Sequence, residues 1–216
     1  DLYYFAANNW PPVNRWMGAI SKLTGIGLQD LHRKYYNMAI RRLLKVNKSL
    51  PDNQKIRFLS CSWGGRNDQF RAETDALFDE CERNGIMVLG GSYYHTFDVT
   101  RACDKRFAMP TDRIGVPVNG KTTPCYRGGY YYTRQGGASS TFPYLAGVFA
   151  CALQGNQIFC TRPTWQDDLM RLVRDTAQPH PQGGLIINPT GIVDAVTQIA
   201  RDMEMNLMKQ QSMQHE

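Results

Sequence analysis

A chain of 216 residues fits one domain with a sizeable core, and its 42% hydrophobic and 20% charged content is that of a soluble globular protein. The net charge of +6, from 25 basic against 19 acidic residues, comes without an aromatic-plus-basic module, which argues against a nucleic-acid partner. No run of about 18 apolar residues occurs, which excludes a membrane-spanning helix, and the six cysteines lack Cys-x-x-Cys spacing, which argues against zinc.

In chain order, Leu2–Ala7 is a short aromatic-rich run that predicts a buried strand. Residues 8–27 carry Pro11, Pro12, Gly18, Gly25 and Gly27 and read as an irregular connection, with one helical turn near Trp16–Lys22. From Leu28 to about Lys48, the apolar residues Leu28, Leu31, Tyr35, Met38, Leu43 and Leu44 predict an amphipathic helix. Arg41, Arg42, Lys45 and Lys48 make its solvated face, and Ser49–Asn53 ends it at Pro51.

Ile56–Ser62 predicts a strand, stopped by Trp63-Gly64-Gly65. Asp68–Arg83 has helical periodicity through Phe70, Ala72, Leu77, Phe78 and Cys81, and Asn84-Gly85 is a C-terminal stop. Ile86–Leu89 is the next strand, followed by Gly90-Gly91-Ser92. Strand, helix and strand in this span make a βαβ unit, which implies parallel strands and a right-handed crossover. The predicted fold class is therefore α/β, a mostly parallel sheet flanked by helices. Ligand sites in such sheets lie at the carboxyl ends of strands, where Ser62-Trp63-Gly64 and Gly90-Gly91-Ser92 fall.

Residues 93–135 are loop-rich, with strand-like pieces around Arg113–Val118 and Tyr130–Thr133. A helix follows Ser139 to about Gln154, with Leu145, Val148, Phe149 and Ala152 at its apolar positions, and Gly155-Asn156 breaks it. Thr164–Ala177 predicts another helix (Trp165, Leu169, Leu172, Val173), ended by Gln178-Pro179-His180-Pro181. Gly184–Asn188 precedes a last helix from about Thr190. Residues 1–208 form the domain, and 209–216 are a polar tail expected to fray. Cys61, Cys81 and Cys151 fall in predicted core elements as small apolar groups. Cys103 and Cys125, both in the loop region, leave a disulfide open, while the lack of an evident pairing scheme points to a reducing compartment.

The segment richest in chemistry is Gly136–Gly147. Glycines before the serines let the backbone turn tightly, and Pro143 costs little near the start of an apolar helix. Ser139 therefore falls at a turn feeding a helix N-terminus, where unpaired N–H groups and the helix dipole stabilise negative charge. A serine attacking a carbonyl needs that environment. The alternative is an ordinary turn with serines as helix caps.

Gly137-Ala138-Ser139-Ser140-Thr141-Phe142-Pro143-Tyr144-Leu145-Ala146-Gly147 resembles the active-site motif of the subtilisin-like serine proteases, Gly-Thr-Ser-x-Ala-x-Pro-x-Val-Ala-Gly. The serine four residues before the proline selects Ser139 rather than Ser140; Ala138 and Thr141 depart from the usual Thr and Ala. Leu2–Ala7 is similar to the family strand after the histidine helix, and Ile56–Gly65 to Val-Ile-Asn-Met-Ser-Leu-Gly-Gly. Ile86–Ser92 resembles Val-Val-Ala-Ala-Ala-Gly-Asn, and Ile114–Val118 resembles Val-x-Ala-Pro-Gly. Asp175-Thr176-Ala177 with Gly184–Asn188 is similar to Thr-Ala…Gly-x-Gly-x-Val-Asn-Ala. The likeness covers residues 1 to about 200 and corresponds to the C-terminal two-thirds of a subtilase catalytic domain.

The resemblance implies a subtilisin-like fold and a serine endopeptidase that hydrolyses peptide bonds through a Ser139 acyl-enzyme, with a peptide or protein as substrate. The Ser139 N–H would be one oxyanion donor. Ser62, Trp63 and Gly64 would pair with substrate backbone as an added strand, and Gly90 and Gly91 would wall the other side. No cofactor is implied, and no carboxylate-rich loop with calcium spacing occurs, so no metal is predicted. Relatives of this type are often secreted, in tension with the cysteine content.

Three departures stand out. Ser92 occupies the oxyanion position where the family has a side-chain amide worth about 3 to 4 kcal/mol of transition-state stabilisation, with Tyr93, Tyr94 and His95 as nearby stand-ins. The loop from there to Ser139 is shorter than the family norm. The Asp-Thr-Gly and His-Gly-Thr-His segments of the triad do not occur, so its aspartate and histidine are expected upstream, and that N-terminal segment becomes an expected partner. Of the four histidines, His32 falls on the first long helix, His180 between prolines and His215 in the tail; His95 is near the site but reads as a surface-loop residue. The alternative function is an inactive subtilase-like protein that binds a peptide or partner. A nucleotide-binding domain would share the βαβ reading, yet no Gly-x-Gly-x-x-Gly or P-loop follows a strand.

Overall fold

The structure, a computed structural model, describes residues 22–25, 28–61, 70–90, 97–98, 113–117, 121–124, 129–133, 141–180 and 183–213. It is mixed α/β, mostly helical, with few and short strands. The chain divides into two compact units, Asp1–Leu59 with Trp63–Gly91 and Ser60–Ser62 with Ser92–Glu216.

In the first unit, α1 (Leu28–Ser49) spans the predicted helix. Among residues 33–49 its buried side chains are Arg33, Asn37, Ile40, Leu43, Leu44 and Asn47, the three-and-four spacing of one face. Met38, predicted on that face, is exposed, and half of the buried positions are polar. For Asn37 and Asn47 the reason lies in their partners. The Thr74 hydroxyl of α2 (Arg71–Arg83) donates to Asn37 Oδ1 at 2.7 Å, and Asn47 Oδ1 accepts the Ile56 N–H at 2.7 Å. Buried polar groups satisfied in this way cost little. Arg41, Arg42, Lys45 and Lys48 lie away from that buried face, as the solvated-face reading expects. Arg41 pairs with Glu73 and Lys48 with Glu80 of α2, surface contacts worth about 0–1 kcal/mol each.

The Asn84-Gly85 stop takes the glycine-dependent form. Gly85 has φ 72°, its N–H bonds to the Glu82 carbonyl at 3.0 Å, and the Ile86 N–H bonds to that of Cys81 at 2.9 Å. This turn delivers the chain to β2 (Met87–Leu89), where Ile86 to Leu89 are all fully buried. Cover on both faces explains why the segment reads as a continuous apolar run rather than an alternation. Its hydrogen-bonded neighbour is β1 (Phe58–Ser60), anchored by Met87 N–H to the Arg57 carbonyl at 2.8 Å.

The second unit holds a four-stranded sheet in the order β3 (Phe97–Asp98), β4 (Ile114–Gly115), β8 (Leu185–Ile186), β7 (Gln178–Pro179). β3, β4 and β8 run parallel, with Phe97 opposite Ile114 and Ile114 opposite Leu185. Gln178-Pro179, predicted only to terminate a helix, forms an antiparallel edge strand on β8. Proline is tolerated there because an edge strand has one side free of ladder bonds. β6 (Tyr130–Thr133) falls where predicted and pairs antiparallel with β5 (Lys121–Pro124), which carries no strand signal.

α3 (Thr141–Leu153) buries Leu145, Val148, Phe149 and Ala152, the four predicted positions, together with Thr141, Phe142 and Leu153. Gly155, with φ 77°, lets the chain turn away. Asn156 Nδ2 then donates to the Ala152 carbonyl at 2.8 Å and to Thr197 Oγ1 at 2.9 Å, tying the end of α3 to α5 (Pro189–Met213). Before α4 (Trp165–Asp175), a short 3-10 helix over Gln157–Thr161 buries Phe159. The buried carboxylate of Asp168 accepts from Thr164 at 2.8 Å, Arg162 at 3.0 Å and Arg171 at 2.8 Å, in the first turn of α4 where negative charge is favoured.

α5 begins with Asn188 as cap, its Oδ1 accepting the Gly191 N–H at 3.1 Å, and Pro189 in the first helical position. A Cβ on Gly191 would lie 2.5 Å from Asn188 Nδ2 and 3.1 Å from Thr176 Cβ. Gly191→Ala is therefore expected to displace the cap and lower stability by about 1–2 kcal/mol in chemical denaturation, despite alanine's better helix propensity. α5 runs on to Met213, so residues 209–213 are helical where the polar composition predicts a frayed tail. Among the described residues no helix is long and apolar enough to cross a membrane.

Candidate functional site

α3 is the described helix that follows the candidate serine in sequence. Its buried face is pinned by Leu145, Phe149 and Ala152, all without solvent exposure, and Pro143 sits on the outside of its first turn. No proline cost arises there, since the first turn has no intrahelical acceptor for that N–H. The helix begins at Thr141, two residues after Ser139 in sequence. Ser139 itself, with Ser62, Trp63, Gly64, Gly91 and Ser92, lies outside the described residues, as does His95.

Gly90 is the one candidate inside them. It follows the buried strand β2 directly and has φ 114°, a region in which a side chain is strained. The glycine expected at that strand end is thus required by its backbone. His180 closes the β7–β8 hairpin, its N–H bonded to the Gly184 carbonyl at 3.0 Å, and His32 belongs to α1. His215 and both Cys103 and Cys125 lie outside the described residues, as does Leu2–Ala7.

Cys61, Cys81, Cys151 and Cys160 are not in disulfides. Cys81 is buried as predicted and Cys61 is half-buried, whereas Cys151, expected in the core, is exposed. The helical period explains this correction. Tyr144, Gly147 and Cys151 recur at three- and four-residue steps, on the face turned away from Leu145, Phe149 and Ala152. With Val148 at the border of that face, and with Pro189 and Val193 of α5, they line an open groove of about 550 Å³. Burial pushes the Tyr144 phenol above its ordinary pKa. The spacing of 144, 147 and 151 is readable in the sequence, but not that Gly147 and Cys151 are exposed.

Thr141 enters the sequence comparison only as a departure from the motif. It is fully buried, and its Oγ1 has no hydrogen-bond partner among the described residues. Among those residues no group of three or more His, Cys, Asp or Glu is placed to hold a metal ion. No protein-family model matches the chain, and neither does any curated protein or solved structure.

Proposed function

We propose that this chain carries the nucleophile of a subtilisin-type serine endopeptidase with a subtilisin-like fold. One observation supports the reading: α3 begins at Thr141, two positions after the motif serine in sequence, and is fixed by a buried face. The parallel β3–β4–β8 sheet supports it further.

In this mechanism Ser139 Oγ attacks the substrate carbonyl carbon while its proton passes to the histidine supplied by upstream sequence, which an aspartate orients. The carbonyl electron pair moves to oxygen, and the Ser139 N–H with the α3 dipole stabilises that oxyanion. Collapse expels the amine, protonated by histidine, and water then hydrolyses the acyl-enzyme. Ser62, Trp63, Gly64, Gly90 and Gly91 would grip the substrate backbone.

A second reading, an inactive relative that binds a peptide or protein partner, draws on Ser92, which lacks the amide donor. Fluorophosphonate labelling separates the two. In protein that includes the histidine and aspartate segments, the probe is expected to modify folded wild type and not Ser139→Ala. Absence of labelling in folded protein would leave the binding reading.

A further inference from the structure

α1 turns towards solvent a face with chemistry of its own, independent of the Ser139 reading. In sequence, Leu28–Ser49 carries six lysines and arginines against one acid, Asp30. With Ile40, Leu43 and Leu44 buried, Met38 stands on the outward side of the helix, 52% exposed. At about 100° per residue, Lys34, Arg42 and Lys45 fall within about 40° of Met38 around the axis, and all three are exposed. Together they form a ridge about 17 Å long. Arg41 and Lys48, on the flank beside α2, are paired with Glu73 and Glu80. Lys34, Arg42 and Lys45 pair with no acid among the described residues. Packing against α2 thus neutralises the flank and leaves the crest charged.

We propose that this ridge docks the protein on an anionic lipid surface, with Lys34, Arg42 and Lys45 at the headgroups and Met38 pressed between them. Charge complementarity selects the partner. The potential of an anionic leaflet falls off within a Debye length, so cations that share one direction are attracted together. The apolar face of α1 is committed to the core, so the helix does not roll that face into lipid as an interfacial helix would. Adsorption is therefore electrostatic, shallow and reversed by salt. A planar charged surface asks no shape match of a convex ridge. A protein partner would draw its affinity from anchors buried in pockets, and a single-stranded nucleic acid from stacked aromatics beside the cations. On this crest the large uncharged side chain is Met38.

The test is co-sedimentation of the full chain with vesicles of phosphatidylcholine alone and of equal parts phosphatidylcholine and phosphatidylserine. Wild type is expected to bind the anionic vesicles at low salt, to leave the neutral ones unbound, and to be released at about 1 M salt, where the Debye length is about 3 Å. Each cation near an anionic leaflet contributes about fivefold in partitioning, so Lys34→Gln, Arg42→Gln and Lys45→Gln together should weaken binding on the order of 100-fold. These side chains are exposed, so the Tm of the triple variant should match wild type. The control removes the same formal charge from exposed positions of the second unit, with Arg174→Gln, Arg201→Gln and Lys209→Gln, and should bind as wild type does. Equal losses in the two triple variants would mean that net charge alone acts, and would overturn the inference. So would wild type that binds neutral and anionic vesicles alike, or neither. Polyglutamate or duplex RNA that binds wild type more tightly than the anionic vesicles, and loses that binding in the α1 variant, would overturn it in favour of an acidic protein or a nucleic acid.

Discussion

Ser139→Ala is expected to lower kcat for peptide hydrolysis on the order of 10⁶-fold, the scale on which a subtilisin-type nucleophile acts, with KM little changed. The substitution deletes the atom proposed to form the acyl bond but not the residues proposed to bind the substrate, Ser62, Trp63, Gly64, Gly90 and Gly91. A residual rate above uncatalysed hydrolysis should persist, since oxyanion stabilisation and binding survive loss of the nucleophile. Nucleophile and base act as a unit, so replacing the histidine as well should cost little more. Progress curves on a peptide amide measure this. A drop of less than about tenfold would mean that another group does the chemistry.

Phe149→Ala is expected to destabilise the fold by about 3–5 kcal/mol in denaturant unfolding, the range for emptying a buried phenylalanine site. Phe149 is among the largest fully buried side chains, at the centre of the α3 face that includes Leu145 and Ala152. Truncation removes its transfer free energy and leaves a cavity that a close-packed core fills only in part. The control is two residues along. Cys151 lies on the opposite, exposed face, so Cys151→Ala should stay within about 0.5 kcal/mol of wild type. Equal losses for the two would mean that α3 does not pack by this face.

Where local chemistry decides structure, the sequence is readable. The apolar positions of α3 are buried as its period requires, and Asn84-Gly85 and Gly155 end helices through left-handed glycines. Asn188-Pro189 likewise opens α5 through a cap and an N1 proline. What stays hidden depends on distant partners. Asn37 and Asn47 are polar by composition yet buried, because Thr74 and the Ile56 N–H satisfy them. The two-residue strand Gln178-Pro179 is too short for any period and exists only through pairing with β8. Cys151 reads as core by its apolar neighbours and is exposed by its position on the helix. For the site, the helix after Ser139 is legible from spacing, whereas the burial of the Thr141 hydroxyl, which has no partner among the described residues, is a product of tertiary packing that leaves no trace in the sequence.

Whether Ser139 forms a covalent acyl intermediate is read by mass spectrometry of folded protein, upstream segments included, quenched during turnover of a p-nitrophenyl ester. A single added acyl group is expected, located by fragmentation on Ser139. An acyl group on the exposed Cys151 thiol or on Tyr144, with Ser139 unmodified, would contradict the proposed mechanism.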